Sequence, residues 1–221
     1  MATPSAPQLS TPKAVLDLFA QGKKVSFPAG RLLFREGDDV SDVFCLSEGN
    51  VVVTRFGENG ERQILAFLFP GDFLGMTFTP HHNTGAETLT PVMAWSLSRS
   101  RLLELLASRA DLGVAFAHMS SLILNNVLDL VFSLGRKNSK ARVASFLLHL
   151  QRRQELLGLG SKRLHVPMTR QDIADFLGLT METVSRSFSQ LKSTGAIKPE
   201  PHGDILIADL KALRAAAELA P

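Results

Sequence analysis

The chain has 221 residues, 45% of them hydrophobic, and its only cysteine, Cys45, excludes both an internal disulfide framework and a cysteine-ligated iron–sulfur cluster within one chain. Residues 1–135 carry 10 Lys and Arg against 13 Asp and Glu, whereas residues 136–221 carry 14 against 8. A mildly acidic part joined to a basic part indicates a sensor or dimerisation module attached to a nucleic-acid-binding module.

The start of the chain carries no targeting or membrane signal. No apolar run approaches the roughly 18 residues that a membrane helix needs, and no basic region is followed by an apolar one. We therefore expect a soluble, cytoplasmic protein without a membrane partner. Residues 1–12 are small, polar and proline-containing, which predicts a disordered arm.

The next part, residues 13–110, begins with a helical pattern and continues with strands. Thr11 and Pro12 give a cap and first-turn signal for a helix with the apolar stripe Val15, Leu16 and Phe19. From residue 24 onward, glycine turns separate short apolar runs at 43–46, 51–53, 64–68 and 92–95. Many short strands with regular turns indicate an antiparallel barrel or jelly roll, followed by a short helix over 101–107.

A long helix is predicted over residues 111–134, which contain no proline and one early glycine. One apolar stripe, assigned to the β domain, comprises Phe116, Met119, Ile123 and Leu130. A second stripe, assigned to the same helix of another subunit, comprises Ser120, Leu124, Val127, Val131 and Leu134. Residues 111–135 are thus predicted to be a dimerisation helix. The alternative is a single broad stripe that faces the core of one subunit.

The second domain is predicted over residues 136–221, because residues 135–138 interrupt the helical pattern. Ser139 is expected to cap a further helix that turns its apolar residues inward. Near the end of the chain, residues 196–198 and 205–207 have strand character and indicate a two-stranded wing. The alanine-rich segment from Asp209 onward predicts a short terminal helix.

The basic domain contains the pattern of a helix, a tight turn and a second helix. Thr169 is an N-cap type and Asp172 follows three residues later, so the first helix should span residues 170–177. Gly178 ends this helix, and Thr180 can cap the second one. Two helices joined by so short a turn are typical of a helix-turn-helix.

The second of these helices has an inward and an outward face. Its apolar residues recur at helical spacing, which turns Glu182, Ser185 and Arg186 outward near its N-terminal end. Arg can donate twice to guanine, Glu can accept from cytosine and Ser permits close approach, so the trio is suited to reading base edges in a DNA major groove. The alternative is an ion pair between Glu182 and Arg186 on a solvated helix.

Five motifs occur together in one family. They lie at residues 34–38 (FREGD), 47–49 (SEG), 70–75 (PGDFLG), 169–173 (TRQDI) and 182–186 (ETVSR). With these motifs, the chain from about residue 13 resembles the CRP/FNR superfamily of bacterial transcription regulators. The resemblance implies an α+β fold with an N-terminal cyclic-nucleotide-binding-type β-roll, a long dimerisation helix and a C-terminal winged helix-turn-helix.

Cyclic AMP is not the effector that this sequence favours. Cyclic-AMP-binding members of the family typically have Glu directly after Gly-Asp-Phe-x-Gly and an Arg-Ser pair soon afterwards, whereas this chain has Met76 and residues 83–86 (NTGA). Independently of the family, residues 63–98 contain no Lys or Arg, so this stretch offers no charge-assisted clamp for a phosphate.

The recognition motif is similar to that of the FNR and FixK branch, although the cluster-binding cysteines of FNR are absent. Members with Glu-x-x-Ser-Arg bind half-sites resembling TTGAT, so the resemblance implies that Glu182, Ser185 and Arg186 read the bases. It also implies double-stranded DNA, RNA polymerase and a second copy of the chain as partners. Contacts with the DNA backbone are expected from Thr169, Arg170, Thr180, Thr183 and Lys192.

Two sensor hypotheses concern single side chains. His81 and His82 could ligate haem, as a histidine in this general region does in a carbon monoxide sensor of the family; the alternative is an exposed polar turn. Cys45 could be a redox switch, or an inert core thiol. We expect no metal site and no enzyme, since the chain lacks metal-type His/Cys spacing, a phosphate loop and a nucleophile motif. The alternative to a regulator that needs no ligand is then a regulator that senses haem or a small molecule.

Overall fold

The computed structural model describes residues 12–160 and 162–218, without the side chain of His202. Residues 1–11 of the predicted arm, including the proposed cap residue Thr11, lie outside the described residues. Pro12 is the N-cap residue of the first helix, so it belongs to the folded part of the chain.

Helix α1 (Lys13–Phe19) packs against the β domain with Val15, Leu18 and Phe19. The predicted stripe was wrong at Leu16, which is 38% exposed. Leu18 lies three residues after Val15 and therefore on the same side of the helix, whereas Leu16 is turned by about 100° from Val15.

Two four-stranded antiparallel sheets form a β-roll, which confirms the predicted fold of this part. One sheet, in the order β1-β8-β3-β6, consists of β1 (Lys23–Phe27), β3 (Asp42–Glu48), β6 (Phe73–Leu74) and β8 (Val92–Ser98). The other, in the order β2-β7-β4-β5, consists of β2 (Leu32–Phe34), β4 (Val51–Phe56), β5 (Arg62–Leu68) and β7 (Gly85–Thr88). One core cluster of the roll comprises Phe34, Leu46, Val51, Leu74, Ala86, Val92 and Ala94.

The turn between β3 and β4 requires a glycine. Gly49 has a φ of 83°, a left-handed conformation that glycine adopts without a steric penalty. A Cβ at this position would lie 2.2 Å from the carbonyl oxygen of Pro91. The motif at residues 47–49 is therefore a backbone requirement of the roll.

Two helices follow the roll. α2 (Arg99–Ser108) begins two residues before the predicted start, and the Ser98 hydroxyl caps it by accepting a hydrogen bond from the Arg101 amide. α3 (Ala110–Arg136) has 27 residues and extends beyond the predicted range at both ends. It passes through Gly135, where the sequence pattern predicted an interruption, because a single glycine costs a helix only about 1 kcal/mol.

α3 has one buried side and one exposed side. Its buried residues are Leu112, Phe116, Met119, Leu122 and Ser133, and several of them share a core cluster with α1 and β3. The prediction was wrong at Ile123, which is 46% exposed, since Leu122 continues the stripe of Met119 at helical spacing. The single broad core-facing stripe is also contradicted, because Leu124, Val127 and Val131 are 57%, 48% and 59% exposed.

The length and composition of α3 correct one expectation from the sequence. By these two criteria alone, the helix is long and apolar enough to span a membrane. In this fold α3 packs one side against the β-roll and α1 and leaves its other apolar side exposed.

The second domain is a three-stranded winged helix-turn-helix. It contains α4 (Ser139–Leu156), β9 (Arg163–Leu164), α5 (Arg170–Leu177), α6 (Met181–Ser193), β10 (Ile197–Pro199), β11 (Ile205–Ile207) and α7 (Leu210–Ala217). β11 pairs with both β10 and β9, so the predicted two-stranded wing has a third strand. The cap of α4 is Asn138 rather than Ser139, since the Asn138 side chain accepts a hydrogen bond from the Ala141 amide at 3.0 Å.

The two domains pack directly against each other. Phe67 of β5, Phe146 of α4 and Phe176 of α5 form a cluster with ring centroids 5.1 to 5.9 Å apart. The Arg142 guanidinium donates to the carbonyl oxygens of Leu134, in the last turn of α3, and of Leu177, the last residue of α5. Arg142 thus links α4 both to α3 and to α5, and these contacts stabilise the connection between α3 and α4.

Candidate nucleic-acid interface

The first helix of the motif, α5, begins with the predicted cap. The Thr169 hydroxyl accepts a hydrogen bond from the Asp172 amide, and the Asp172 carboxylate accepts one from the Thr169 amide, which together form a capping box. Gly178 ends the helix in the left-handed conformation with a φ of 60°. The helix spans Arg170–Leu177, as predicted.

The second helix, α6, is capped by Thr180, whose hydroxyl accepts a hydrogen bond from the Thr183 amide. Its buried residues, which anchor it in the domain core, are Val184, Ser187, Phe188 and Leu191. Burial at this spacing leaves the opposite face of α6 free of the domain core.

Glu182, Ser185 and Arg186 lie on that opposite face, and all three are exposed. Among the residues that the structure describes, Glu182 and Arg186 do not approach within the 4 Å of an ion pair, so the solvated-pair alternative is not what the structure contains. Hydrogen bonds from its own amide and from Thr180 lower the pKa of Glu182, with a smaller contribution from Arg186, so it is an acceptor at neutral pH. The trio thus presents a donor fork, an acceptor and a small hydroxyl at the start of the helix.

The residues predicted to contact the DNA backbone lie at different depths. Thr169, Thr180 and Lys192 are exposed, whereas Thr183 and Arg170 are partly buried. The hydroxyls of Thr169 and Thr180 accept hydrogen bonds within the motif. The other backbone amides at the two helix starts have no intrahelical acceptor and can donate to a ligand.

Arg170 is held in place by an aromatic ring. Its guanidinium carbon lies 3.5 Å from the centroid of the Phe188 ring, and burial lowers its pKa, although an arginine stays charged at neutral pH. Arg170 and Lys192 line one groove between α6 and the wing. Ser189 also lines it; the sequence reasoning missed Ser189, although it lies four residues after Ser185 on the same helix face.

A second concave site lies where the β-roll, α3 and the second domain meet. This cavity has a volume of about 460 Å³ and a mainly apolar wall that includes Phe67, Leu122 and Phe146. Arg142, His149 and Arg153 of α4 also line it. The sequence reasoning missed this cavity, because residues far apart in the chain form its wall.

The surroundings of His149 in the cavity wall strongly perturb its pKa. Desolvation of the imidazole and, to a smaller extent, the positive charges of Arg153 and Arg152 together lower its pKa to about 4. The imidazole is therefore neutral at physiological pH.

The two histidines of the proposed haem site are engaged elsewhere. His81 is exposed and its Nδ1 lies 2.9 Å from the Asp39 carboxylate. His82 is 7% exposed and stacks on Phe34 with ring centroids 3.7 Å apart, so the exposed-turn alternative was wrong for His82. Burial lowers the pKa of His82. Neither side chain lines the interdomain cavity, so the geometry does not fit a haem held there by them.

Cys45 lies in the core of the β-roll. It is 2% exposed, and burial together with the negative charge of Asp72 raises its pKa to about 12. A buried thiol with so high a pKa is a poor nucleophile, which favours the inert core alternative over the redox switch. Within residues 12–160 and 162–218, no three His, Cys, Asp or Glu side chains are grouped as a metal site would require.

Comparisons with known proteins agree with this architecture. The model of the cyclic nucleotide-binding domain matches residues 24–109, and that of the Crp-like helix-turn-helix domain matches residues 141–216. The nitrogen fixation regulation protein FixK of Bradyrhizobium diazoefficiens is 35% identical over 85% of this chain and 79% of its own length. The transcriptional activatory protein AadR of Rhodopseudomonas palustris is 34% identical over 77% of this chain and 72% of its own length.

A solved structure shows the same fold. The structure of FixK2 from Bradyrhizobium japonicum has a TM-score of 0.83 and 30% sequence identity, and the match covers 90% of this chain and 99% of that one. The relatives are transcription regulators and not enzymes, as the sequence predicted. The chain therefore belongs to the CRP/FNR family and is a FixK-like, DNA-binding transcription regulator.

Proposed function

We propose that this protein is a homodimeric regulator that binds a palindrome of two TTGAT-type half-sites and does not need cyclic AMP. The observation that carries the proposal is the exposed trio Glu182, Ser185 and Arg186 on the first turns of a capped helix. The domain core is built from the other face of α6, so these side chains can pair with base edges without loss of packing.

The exposed side of α3 supports the dimer. Leu124, Val127 and Val131 lie one helical turn apart and are each about half exposed. The same helix in a second subunit would cover them in the manner of a coiled coil, with Ser120 and Leu134 extending the seam. A two-fold axis along α3 then places the two recognition helices about 34 Å apart, which is one turn of DNA.

The arrangement of cations supports independence from cyclic AMP. Residues 63–98 contain no Lys or Arg, and Met76 lines the interdomain cavity where the family pattern would place Glu. Arg99 is the first cation after this stretch, and its guanidinium donates to the carbonyl oxygens of Thr77 and Phe78. A cyclic nucleotide can shift the protein between states only by its differential affinity for them, and residues 63–98 offer its phosphate no cation that would supply this affinity.

Fluorescence anisotropy with dialysed, colourless protein tests the proposal. The expected result is saturable binding to a labelled TTGAT palindrome at nanomolar to low-micromolar protein, unchanged by cyclic AMP. A scrambled palindrome of the same composition is the control, and the salt concentration is held constant because the phosphate contribution depends on it. Binding that appears only after cyclic AMP is added would refute the proposal.

The interdomain cavity favours a second candidate, a small-molecule-sensing regulator. A wall of aromatic and aliphatic side chains with several polar groups is typical of a ligand pocket. An apolar ligand there would contact the β-roll, α3 and α4 at once. Native mass spectrometry and an absorbance spectrum of freshly purified protein distinguish a bound organic molecule or haem from an empty pocket.

We further propose that the protein activates transcription by contact with RNA polymerase in the cytoplasm. The name of the relative AadR, a transcriptional activatory protein, supports this direction. Transcription in vitro from a promoter with an upstream TTGAT palindrome should increase when the protein is added. A decrease would make the protein a repressor at that position.

A further inference from the structure

One arginine of the β-roll makes ion pairs with the helix-turn-helix. Arg62 is the first residue of β5, next to the turn of the β4-β5 hairpin, and its side chain is 31% exposed. Its guanidinium makes two ion pairs with α5, at 2.5 Å to Asp172 and 2.7 Å to Asp175. Both carboxylates are shielded from solvent, with side chains 8% and 12% exposed. A guanidinium that pairs with two shielded carboxylates, called here the Arg62 fork, fixes the orientation of the helix better than a single exposed ion pair does.

Neighbouring groups complete this contact. The Gln63 amide donates to the backbone carbonyl of Asp175, so two successive residues of β5 hold the same helix. The Asp172 carboxylate has two tasks, because one oxygen accepts from Arg62 while the other accepts from the amide and hydroxyl of Thr169. Arg62 therefore reaches the capping box of the DNA-binding motif itself.

The contact leaves the DNA-reading side free. Asp172 and Asp175 face the β-roll, whereas Glu182, Ser185 and Arg186 on α6 stay exposed in the same arrangement. The structural likeness to FixK2 spans both domains, since it covers 99% of that chain at a TM-score of 0.83. The arrangement of the two domains that Arg62 holds therefore also occurs in FixK2.

We propose that Arg62 is a positioning residue for DNA binding: it holds the helix-turn-helix against the β-roll through Asp172 and Asp175 in the orientation that fits two half-sites of a palindrome. A dimer can occupy both half-sites only if each recognition helix keeps a fixed position relative to the dimer seam. Loss of the fork lets the second domain move about the connection between α3 and α4. The free protein then occupies the DNA-competent orientation for a smaller fraction of time, and its apparent affinity decreases by that fraction.

Arg62→Gln and Asp175→Asn, alone and combined, test the proposal. Each single variant should weaken binding to the TTGAT palindrome by about 3- to 30-fold, which corresponds to the usual coupling between contacting residues. The double variant should be no weaker than Arg62→Gln, because Arg62→Gln already removes the ion pair that Asp175→Asn removes. Arg62→Lys should restore part of the affinity, since lysine keeps the charge without the fork.

Arg55→Gln is the matched control. Arg55 is opposite Gln63 on the neighbouring strand β4, and it pairs with Glu36 within the β-roll. The control removes the same charge from the same sheet but no contact with the second domain. Equal losses in Arg62→Gln and Arg55→Gln, or additive losses in the double variant, would overturn the proposal.

A second readout works without DNA, because the DNA measurement rests on the proposed half-site. Spin labels at Glu58→Cys and Lys211→Cys, both exposed positions, report the distance between the domains by pulsed electron paramagnetic resonance spectroscopy. Buried Cys45 should not take up label. Arg62→Gln should broaden the distance distribution while Arg55→Gln leaves it narrow. An unbroadened distribution overturns the proposal even if the half-site is wrong, and broadening without loss of palindrome affinity overturns the link to DNA binding.

Discussion

Replacing one valine on the exposed side of α3 should convert the proposed dimer into monomers. Val127 and Val131 are 48% and 59% exposed, so covering each in a dimer contributes about 1 kcal/mol per subunit, half of the value for burying a whole side chain. Glu at either position forfeits this contribution twice and brings two like charges together in an apolar seam, at several kcal/mol per buried charge. The loss exceeds about 4 kcal/mol, or a 1,000-fold increase in the dissociation constant.

Light scattering coupled to size exclusion measures the result at micromolar protein. Wild type should have the mass of two chains, whereas Val127→Glu and Val131→Glu should have the mass of one. Val114→Glu is the control, because Val114 is 71% exposed on the same helix but lies outside the proposed seam. Circular dichroism shows whether the variants stay folded. Folded dimers in both seam variants would refute the assigned stripe and move the interface to another face of α3.

Three further predictions concern single side chains. Arg186→Ala should weaken palindrome binding by about 1 to 3 kcal/mol and scrambled-duplex binding much less; equal losses would make Arg186 a phosphate contact. Thr169→Ala should lower the unfolding free energy by about 1 kcal/mol in urea titrations, and Thr169→Ser should restore it. An unchanged unfolding free energy in Thr169→Ala would show that the capping box does not stabilise the protein. Cys45 should resist a thiol reagent in the native protein and react in urea, because burial holds its pKa at about 12. Fast reaction of Cys45 in the native protein would instead support the redox-switch hypothesis.

The helix-turn-helix could be predicted residue by residue because its signals are local. Thr169 and Thr180 cap their own helices, and Gly178 ends α5 within a few residues of its apolar stripe. Each feature depends on hydrogen bonds spanning three or four residues, which the order of residues alone determines. The same reasoning found the exposed trio, since a helix with a known buried face has a known exposed face.

Contacts between distant parts of the chain could not be predicted in this way. Arg62 and Asp172 are 110 residues apart, and the sequence of either segment contains no sign of the other. His82 was expected in an exposed turn, but a bridge between Asp39 and His81 and stacking on Phe34 bury it. The interdomain cavity has the same origin, because it exists only where two domains meet.

The perturbed histidine of that cavity gives a pH test of the domain arrangement. His149 has a pKa of about 4 in the folded protein, against about 6.5 for an unperturbed histidine. Between these values the unfolded chain binds a proton that the folded protein does not, so the folded state is fully favoured above pH 6.5 and loses stability as the pH falls toward 4. His149 is exposed by its accessible surface, so solvent screening makes the loss smaller than complete burial would cause. Urea unfolding at pH 7.5 and pH 5 measures it. His149→Gln should reduce the difference between the unfolding free energies at the two pH values. Identical pH dependence in wild type and His149→Gln would mean that α4 does not pack against the roll in solution as it does in this structure.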